Sequence, residues 1–312
     1  MKVFHILFNG CASSKFVSLL SEVKKKNNYK FSFIVLSKRD VKLLLKNGIL
    51  STDIYCLSEG KVKEPNLKDI EYLSFLEQQK DVLTIHNMIM SDRVVSKLKY
   101  SEGIAYASYL ANKFKCLYKE ILPSVVIGGH DAMHSAIGCA IAKAESIPWF
   151  SLNFSTLPSG YIALSLGVIP NEMVLLQERE ERSLCSLAEK SLSDFENKQV
   201  KTLAYISAYN IKEVIQRFPK QLLAGFCVFK TMLFNNFNKY AGYDFAFIFK
   251  QYFRKRMNLL TLPKKWLIKQ PPQSPFVFFG LHMQPESSID VYSPFYSNQF
   301  DIIEKIARSI PP

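Results

Sequence analysis

An alternation of short apolar runs with longer amphipathic stretches across residues 1–200 constrains the fold of this chain more than any other feature. Short apolar runs are typical of buried strands, and apolar residues at helical spacing are typical of helices. Strands that alternate with helices favour a parallel sheet with right-handed crossovers, so the sequence predicts an α/β fold with a Rossmann-like N-terminal domain. The predicted strands are Lys2–Phe8, Phe31–Leu36, Ile54–Leu57, Ser124–Ile127 and Trp149–Asn153, and the predicted helices are Lys15–Lys26, Lys38–Asn47, Glu102–Ile121 and Asp131–Glu145.

The pattern changes after residue 170. Helical periodicity alone is expected from Asn171 to Leu262, with Asn171 capping a helix that reaches Lys190. A proline-rich connector, residues 264–275, then leads into an apolar run, Phe276–Leu281, and a helical stretch, Asn298–Ile310. The run and the stretch read as the first strand and helix of a second Rossmann-like domain. The predicted domains are therefore 1–200, 201–270 and 271–312.

A lone strand and helix cannot bury both faces of a parallel sheet. Units of less than about 40 residues rarely fold alone. The sequence therefore predicts either that the chain is a truncated product or that its last elements pack on the preceding helices. Poor protection from exchange and protease is expected after Pro271.

Positive charge is concentrated in residues 201–270, which contain 13 lysines and arginines but only 2 acids, Glu213 and Asp244. The whole chain carries +13, so this stretch holds nearly all of the excess. Cations among aromatics suit anionic lipid headgroups or single-stranded nucleic acid, and they also fit a helical subdomain with an aromatic core and solvated lysines. No RNA-binding or helix-turn-helix signature is present, so no nucleic acid is expected. The aromatics from residue 226 to residue 253 are Phe226, Phe229, Phe234, Phe237, Tyr240, Tyr243, Phe245, Phe247, Phe249, Tyr252 and Phe253.

Cysteine and hydropathy patterns favour a cytoplasmic protein. The six cysteines form no CxxC pair, which is typical of reduced core residues. His130 and His134 lie four residues apart without the glutamate of an HExxH site, so no metal is expected. No signal peptide is visible, and the best candidate membrane span, Ile147–Asn171, is interrupted by prolines and glycines. The absence of a phosphate loop or dinucleotide fingerprint disfavours small-molecule kinases and NAD enzymes.

Two loops that follow predicted strands carry the first candidate site residues. Ligands of open α/β sheets bind beyond the carboxyl ends of the strands. Asn9 and Gly10 follow the first strand and can offer polar groups to a phosphate or sugar, or can form an ordinary tight turn. Gly128 and Gly129 precede His130 and Asp131. Asp131 is a candidate catalytic base or nucleophile, or a helix cap, and His130 can orient a sugar hydroxyl.

Two further loops complete the candidate set. Arg93, beside Asp92, can clamp a phosphate or carboxylate, or the two can form a surface pair. His282, Gln284 and Glu286 lie in a polar loop after the run Phe276–Leu281. Two interpretations are open: the loop binds a ligand, or Pro285 fixes its shape and it binds none.

The last loop carries a family resemblance. The residues Leu281-His282-Met283-Gln284-Pro285-Glu286 follow an apolar run, and the next helix ends in Ser309-Ile310-Pro311-Pro312. With Ser91-Asp92-Arg93 and the strand–helix–strand unit from Val125 to Asn153, this pattern resembles the capsule polysaccharide biosynthesis family of bacterial glycosyltransferases, which have a GT-B-like architecture. The family's Lys-Glu-His-Pro motif, which lies further on in the donor-nucleotide domain, has no counterpart here.

The resemblance implies an acceptor-side domain and the start of a donor domain. It implies transfer of a sugar from a nucleotide-activated donor, with a CMP-linked acidic sugar such as Kdo as one candidate, to a glycan or lipid-linked acceptor of surface polysaccharide. The nucleotide-sugar is a substrate, and no cofactor is expected. The alternative is a truncated, non-catalytic module that binds acceptor or docks on a membrane. The chain is expected in the cytoplasm, with peripheral association at the inner face of the cytoplasmic membrane as one alternative. Because most of the donor domain is missing, no transfer is expected from the 312 residues alone.

Overall fold

The computed structural model divides into two compact units, Met1–Ser193 with Met283–Ser297 and Asp194–His282 with Asn298–Pro312. Within them the structure describes residues 4–10, 17, 20, 23, 29–129, 132–154, 162–169, 173–174, 181–197, 226, 239–240, 249–250, 253–254, 257–258, 261, 273–282, 290–291 and 293–310.

The first unit is built on a seven-stranded mixed sheet with the order β3-β2-β1-β4-β5-β6-β7. Neighbouring strands from β3 to β5 are parallel, and β5, β6 and β7 pair antiparallel. The strands are β1 (Phe4–Asn9), β2 (Tyr29–Val35), β3 (Ile54–Cys56), β4 (Val125–Gly128), β5 (Trp149–Phe154), β6 (Ile162–Leu166) and β7 (Met173–Val174).

Helices with identifiable caps connect the strands. The first begins after Ser37, whose side chain accepts a hydrogen bond from the Asp40 N–H, and it stops before Gly48, whose φ of 81° suits a helix end. A second is closed at its start by a reciprocal capping box between Asn66 and Asp69. The described helices are α1 (Lys38–Lys46), α2 (Leu67–Glu77), α3 (Ile85–Ser91), α4 (Tyr100–Ile121), α5 (Met133–Ala144), α6 (Glu181–Glu196) and α7 (Gln299–Ser309), with 3-10 turns at Ser51–Asp53, Val95–Lys97 and Pro294–Tyr296.

The core of the first unit lies on both faces of the sheet. On one face, Phe8 stacks on Phe33 with ring centroids 5.3 Å apart, and Val17 and Leu20 pack in the same cluster. Elsewhere in the unit α4 packs on α5, and the buried Tyr118 hydroxyl donates a 3.0 Å hydrogen bond to the Gly138 carbonyl. Burial on two faces explains why the parallel strands read as continuous apolar runs.

The parallel α/β part of the prediction is confirmed, and its boundaries shift by a few residues. Helices α2 and α3 were not predicted. The helix expected at Asp131 begins instead at Met133, with Ala132 as its N-cap residue. The sheet is not wholly parallel, because β6 returns antiparallel to β5.

Two expectations for the second half are wrong. Residues 173–174 form strand β7 rather than part of a helix capped by Asn171, since they pair with Leu164 and Ser165 of β6. The described helix here begins at Glu181. The run Phe276–Leu281 is not a strand of the described structure, because an apolar run becomes a strand only where a partner accepts its main-chain bonds. The helix predicted at Asn298–Ile310 is confirmed as α7.

Several expectations lie outside the described residues. Only residues 17, 20 and 23 of the helix predicted at Lys15–Lys26 are described, and all three are helical. Most of 201–270 and the connector up to Pro272 also lie outside. Among the helices that the structure describes, none has both the length and the apolar character needed to cross a membrane.

Candidate functional site

The sheet reverses its winding between β1 and β4. Strands β2 and β3 extend to one side of β1, and β4 and β5 extend to the other. At such a switch point the loops that follow the two central strands run in opposite directions, and the crevice between them is where ligands of such folds bind. Phe8 of β1 pairs with Ile127 of β4, so the loops that follow these residues start side by side. The structure therefore brings together four predicted residues, Asn9, Gly10, Gly128 and Gly129, which we call the switch-point edge.

Position 10 requires glycine, both for its backbone conformation and for the close approach of a neighbouring side chain. Its φ is 79°, and its N–H donates a 2.9 Å hydrogen bond to the Ile34 carbonyl of β2. A Cβ at this position would lie 2.8 Å from Nε2 of His134, closer than real contacts allow. Both the left-handed backbone and the close approach exclude other residues without rearrangement. Gly10 therefore lies directly against the start of α5.

Asn9, the residue before Gly10, is almost fully buried. Its Nδ2 donates a 3.3 Å hydrogen bond to the His134 carbonyl. A Cβ on Gly138, one turn further along α5, would lie 3.0 Å from the same Nδ2. The amide therefore fits between β1 and α5 and joins the two elements. Its burial makes Asn9 a support for the loop rather than a side chain displayed in the crevice.

His134 and Ser135 lie with Asn9 among the buried polar side chains below the switch-point edge. The sequence did not single them out as site residues. Both are buried in the first turn of α5, with His134 Nε2 3.4 Å from Ser135 Oγ. The spacing of His130 and His134 suggested only a metal pair. The signal that could have found the contact is a polar pair at the start of a helix after a Gly-Gly turn. The structure describes no group of three or more potential metal ligands, although His130 is outside the described residues.

On the other side of the edge, Gly128 leaves room for a bulky neighbour and Gly129 accepts a hydrogen bond. A Cβ on Gly128 would lie 2.4 Å from Cζ2 of the buried Trp149. The Gly129 carbonyl accepts a 3.1 Å hydrogen bond from Ser151 Oγ, which also lies 2.7 Å from the Gly167 carbonyl. A hydroxyl has one proton, so Ser151 can satisfy only one of these carbonyls at a time. Ser151 of β5 therefore lies between the end of β4 and the turn after β6.

Asp92 lies at the end of α3 and joins it to α5. Its Oδ1 accepts hydrogen bonds from the N–H groups of Val94 and Val95, at 2.9 and 3.0 Å. Its Oδ2 accepts one from the Met133 N–H at 3.1 Å, which places a carboxylate at the first turn of α5 where the helix dipole favours it. Asp92 thus caps the helix that carries His134. Arg93 is exposed beside it.

His282 lies in the second unit. Its N–H donates a 2.6 Å hydrogen bond to Oε1 of Gln299, and its carbonyl accepts a 2.9 Å hydrogen bond from Nε2 of the same side chain. Gln299 thus pairs with this backbone as a strand would and holds His282 at the start of α7. The other predicted site residues, namely His130, Asp131, Gln284 and Glu286, lie outside the described residues.

Two titratable side chains that pack near the switch-point edge have their pKa raised by burial. The one Cys on α5, Cys139, has its pKa raised to about 12 by burial, so the thiol is protonated. Burial also raises the pKa of the Tyr118 hydroxyl well above its usual value. The buried polar side chains below the edge are those of Asn9, His134 and Ser135, and the carboxylate of Asp92 lies at the first turn of the same helix.

At the other end of β1, His5 is buried and its Nε2 lies 2.9 Å from Ser32 Oγ. Burial, reinforced by the charge of Lys30, lowers the pKa of His5 below its ordinary value. This histidine lies at the amino end of its strand, away from the carboxyl ends where ligands bind.

Comparison with known proteins adds no relative to this description. No protein-family model matches the chain, and a search of the curated proteins returns no match.

Proposed function

We propose that this protein is a glycosyltransferase of surface polysaccharide biosynthesis that moves a sugar from a nucleotide-activated donor to a glycan or lipid-linked acceptor. The observation that carries the proposal is the switch-point edge, where glycines follow both central strands above buried, hydrogen-bonded polar side chains. Ligands of open α/β sheets bind beyond such strand ends, and there we place the sugar acceptor. In the proposed reaction Asp131 acts as base toward the acceptor hydroxyl, with His130 beside it.

The loop with His282, Gln284 and Glu286 is assigned to the donor side of the reaction. That assignment comes from the resemblance of its sequence to the capsule polysaccharide biosynthesis family. A GT-B-like enzyme holds acceptor and donor on two Rossmann-like domains. In this chain the first unit contains such a sheet, with order β3-β2-β1-β4-β5 in its parallel part.

A transfer assay with the full reading frame tests the proposal. The protein is incubated with CMP-, UDP- and GDP-sugars and with lipid-linked and free glycan acceptors, and products are detected by mass spectrometry. We expect one donor class to give a product that requires both substrates. Hydrolysis of every donor without transfer, or no consumption of any donor, would contradict a transferase.

A second candidate is a non-catalytic module that binds the acceptor or docks on a membrane. It is favoured by the run Phe276–Leu281, which the resemblance places in the donor domain and which forms no strand in the described structure. Such a module would bind acceptor glycan with no dependence on nucleotide-sugar. Calorimetric titration of the acceptor with and without donor distinguishes the two functions.

The third part of the proposal is peripheral association with an anionic membrane surface. Residues 201–270 concentrate the positive charge of the chain, and each cation near such a surface contributes about 1 kcal/mol. Screening acts over about 10 Å at 0.1 M salt, so binding to anionic vesicles should weaken as salt is added. Equal binding to neutral and anionic vesicles would rule out this electrostatic docking.

A further inference from the structure

Exposed apolar side chains form a stripe along helical residues of the second unit. Residues 249–250, 253–254, 257–258 and 261 are helical. Phe249, Phe253 and Met257 follow one another at intervals of four residues, which places them on one face of a helix. They are 60%, 59% and 42% exposed. A Thr261 Oγ1 bond of 2.9 Å to the Met257 carbonyl, four residues back, fits this helical geometry.

Two cations accompany the three apolar residues. Lys250 and Arg254 directly follow Phe249 and Phe253 in sequence, so they form a second exposed row about 100° around the helix. Their long aliphatic stems let charged heads reach a polar layer while the neighbouring rings enter an apolar one. We call these five residues the basic aromatic stripe.

Large exposed aromatic groups in a row usually mark a surface that a partner covers. Here the partner must accept rings and also attract cations. The sequence segment 201–270, to which the stripe belongs, carries 13 lysines and arginines against 2 acids, a balance that would repel a basic partner and attract an anionic one. An anionic lipid surface offers an apolar layer directly beneath a layer of negative headgroups, and it matches both rows of the stripe.

We propose that the basic aromatic stripe is the face through which the protein enters an anionic membrane surface. Phe249, Phe253 and Met257 insert between the headgroups, and Lys250 and Arg254 contact lipid phosphates. The inference rests on the membrane association proposed above, and it is independent of the transfer chemistry. Five residues then make the membrane contact, rather than the charge of all seventy residues of 201–270.

Vesicle sedimentation with the full chain tests the stripe. The probes are vesicles of phosphatidylcholine alone and of phosphatidylcholine with phosphatidylglycerol. Phe249→Ala with Phe253→Ala should weaken binding to the anionic vesicles at least tenfold, because two rings leave the apolar layer. Lys250→Gln and Arg254→Gln should each weaken it about fivefold at low salt and much less at high salt.

A double variant with the same chemistry elsewhere serves as the control. Phe75 and Phe295 are 47% and 96% exposed outside the stripe, and Phe75→Ala with Phe295→Ala should bind as the wild type does. Because all four rings are exposed, each variant should keep the wild-type circular dichroism spectrum and Tm.

The possible outcomes separate the stripe from the wider proposal. Wild-type binding that the stripe variants retain overturns the stripe and leaves membrane association standing. No wild-type binding to anionic vesicles overturns both and leaves the transfer proposal untouched. Binding to a single-stranded oligonucleotide in place of vesicles assigns the stripe to nucleic acid. A dimer that the stripe variants dissociate in analytical ultracentrifugation, without vesicle binding, assigns it to a second copy of the chain.

Discussion

The switch-point edge and the basic aromatic stripe place polar and apolar groups in opposite ways. At the edge, the polar Asn9, His134 and Ser135 are buried. In the stripe, the apolar Phe249 and Phe253 are exposed. Burial of a polar group is unfavourable unless it is hydrogen-bonded, and an exposed ring forgoes the stabilisation that burial gives. The buried polar groups of the edge are hydrogen-bonded to one another, so stability permits them, whereas the exposed rings of the stripe indicate a surface that a partner covers.

The largest expected effect is the loss of unfolding free energy when a phenyl ring is removed from a buried position rather than from an exposed one. Phe33 is fully buried and stacks on Phe8, so Phe33→Ala should lower the free energy of unfolding by about 3–5 kcal/mol. Phe278 is 84% exposed, and Phe278→Ala should change it by less than about 0.5 kcal/mol. Urea unfolding followed by circular dichroism measures both. A cost above about 1 kcal/mol for Phe278→Ala would mean that this ring packs in the folded chain.

The next prediction concerns the proposed catalytic base, Asp131, which follows Gly129 by two residues in the sequence. Asp131→Ala, in a form that transfers sugar, should cut turnover by at least about 100-fold, the scale usual for a general base. The wild-type Tm should be kept. Asp301→Ala is the matched control, because Asp301 is a surface carboxylate of α7 paired with Lys305 at 2.7 Å, and it should leave turnover unchanged. Near-normal turnover of Asp131→Ala would remove that residue from the mechanism.

The sequence sufficed for elements whose signals are local. Helix α1 was predictable because an apolar face ends at Gly48, and the parallel strands because burial on both faces makes them continuous apolar runs. Strands β6 and β7 were not, because Pro158, Gly160, Gly167 and Pro170 around them indicate loops, although their partners lie only 8 to 16 residues away along the chain. Phe276–Leu281 shows the reverse failure, since an apolar run cannot report whether a partner strand exists.

At the site, the strand ends were predictable and the contacts were not. Gly10, Gly128 and Gly129 follow predicted strands, and the sheet order then places them together. The crossing of α5 over Asn9 depends on packing between residues more than a hundred positions apart. Asp92 shows the same limit. Its neighbour Arg93 suggested a surface pair, but its carboxylate accepts three backbone hydrogen bonds, one of them from the start of α5.

Two glycines with the same backbone test how tightly the edge is packed. Gly10 and Gly48 have φ of 79° and 81°, but a Cβ on Gly48 would meet nothing within 4 Å. Gly48→Ala should therefore cost only the left-handed strain, about 1–2 kcal/mol. Gly10→Ala should cost about 1–3 kcal/mol more, because its Cβ meets the His134 ring.

The double variant Gly10→Ala with His134→Ala separates the two contributions. Removing the imidazole opens the space for the new Cβ, so the cost of Gly10→Ala measured in the His134→Ala background should fall toward that of Gly48→Ala. Equal costs of Gly10→Ala in both backgrounds, by urea unfolding, would show that the contact with His134 does not restrict residue 10.

A smaller, local effect is expected in amide exchange of the segment that was predicted as a strand. Phe276–Leu281 forms no strand, whereas the His282 N–H donates to Gln299. The amides of 276–281 should exchange close to the rate of an unstructured chain, and His282 at least about tenfold more slowly. Gln299→Ala should remove that difference. Strong protection across 276–281, measured by hydrogen–deuterium exchange NMR, would mean that the segment pairs as a strand after all.

The smallest effect concerns pH and the buried His5. Its pKa is lowered, first by burial and then by Lys30, from an ordinary value of 6.5. Above that value His5 is neutral in both states and contributes no pH dependence. As the pH falls through it, the unfolded chain takes up a proton before the folded chain does, so the free energy of unfolding declines until the folded pKa is reached. His5→Gln should reduce the decline between about pH 7.5 and pH 5.5, and Lys30→Met should reduce it less, because burial remains. Both variants and the wild type are compared by urea unfolding at each pH. An unchanged decline in His5→Gln would show that other groups govern acid sensitivity, and a steeper decline in Lys30→Met would reverse the sign assigned to the lysine charge.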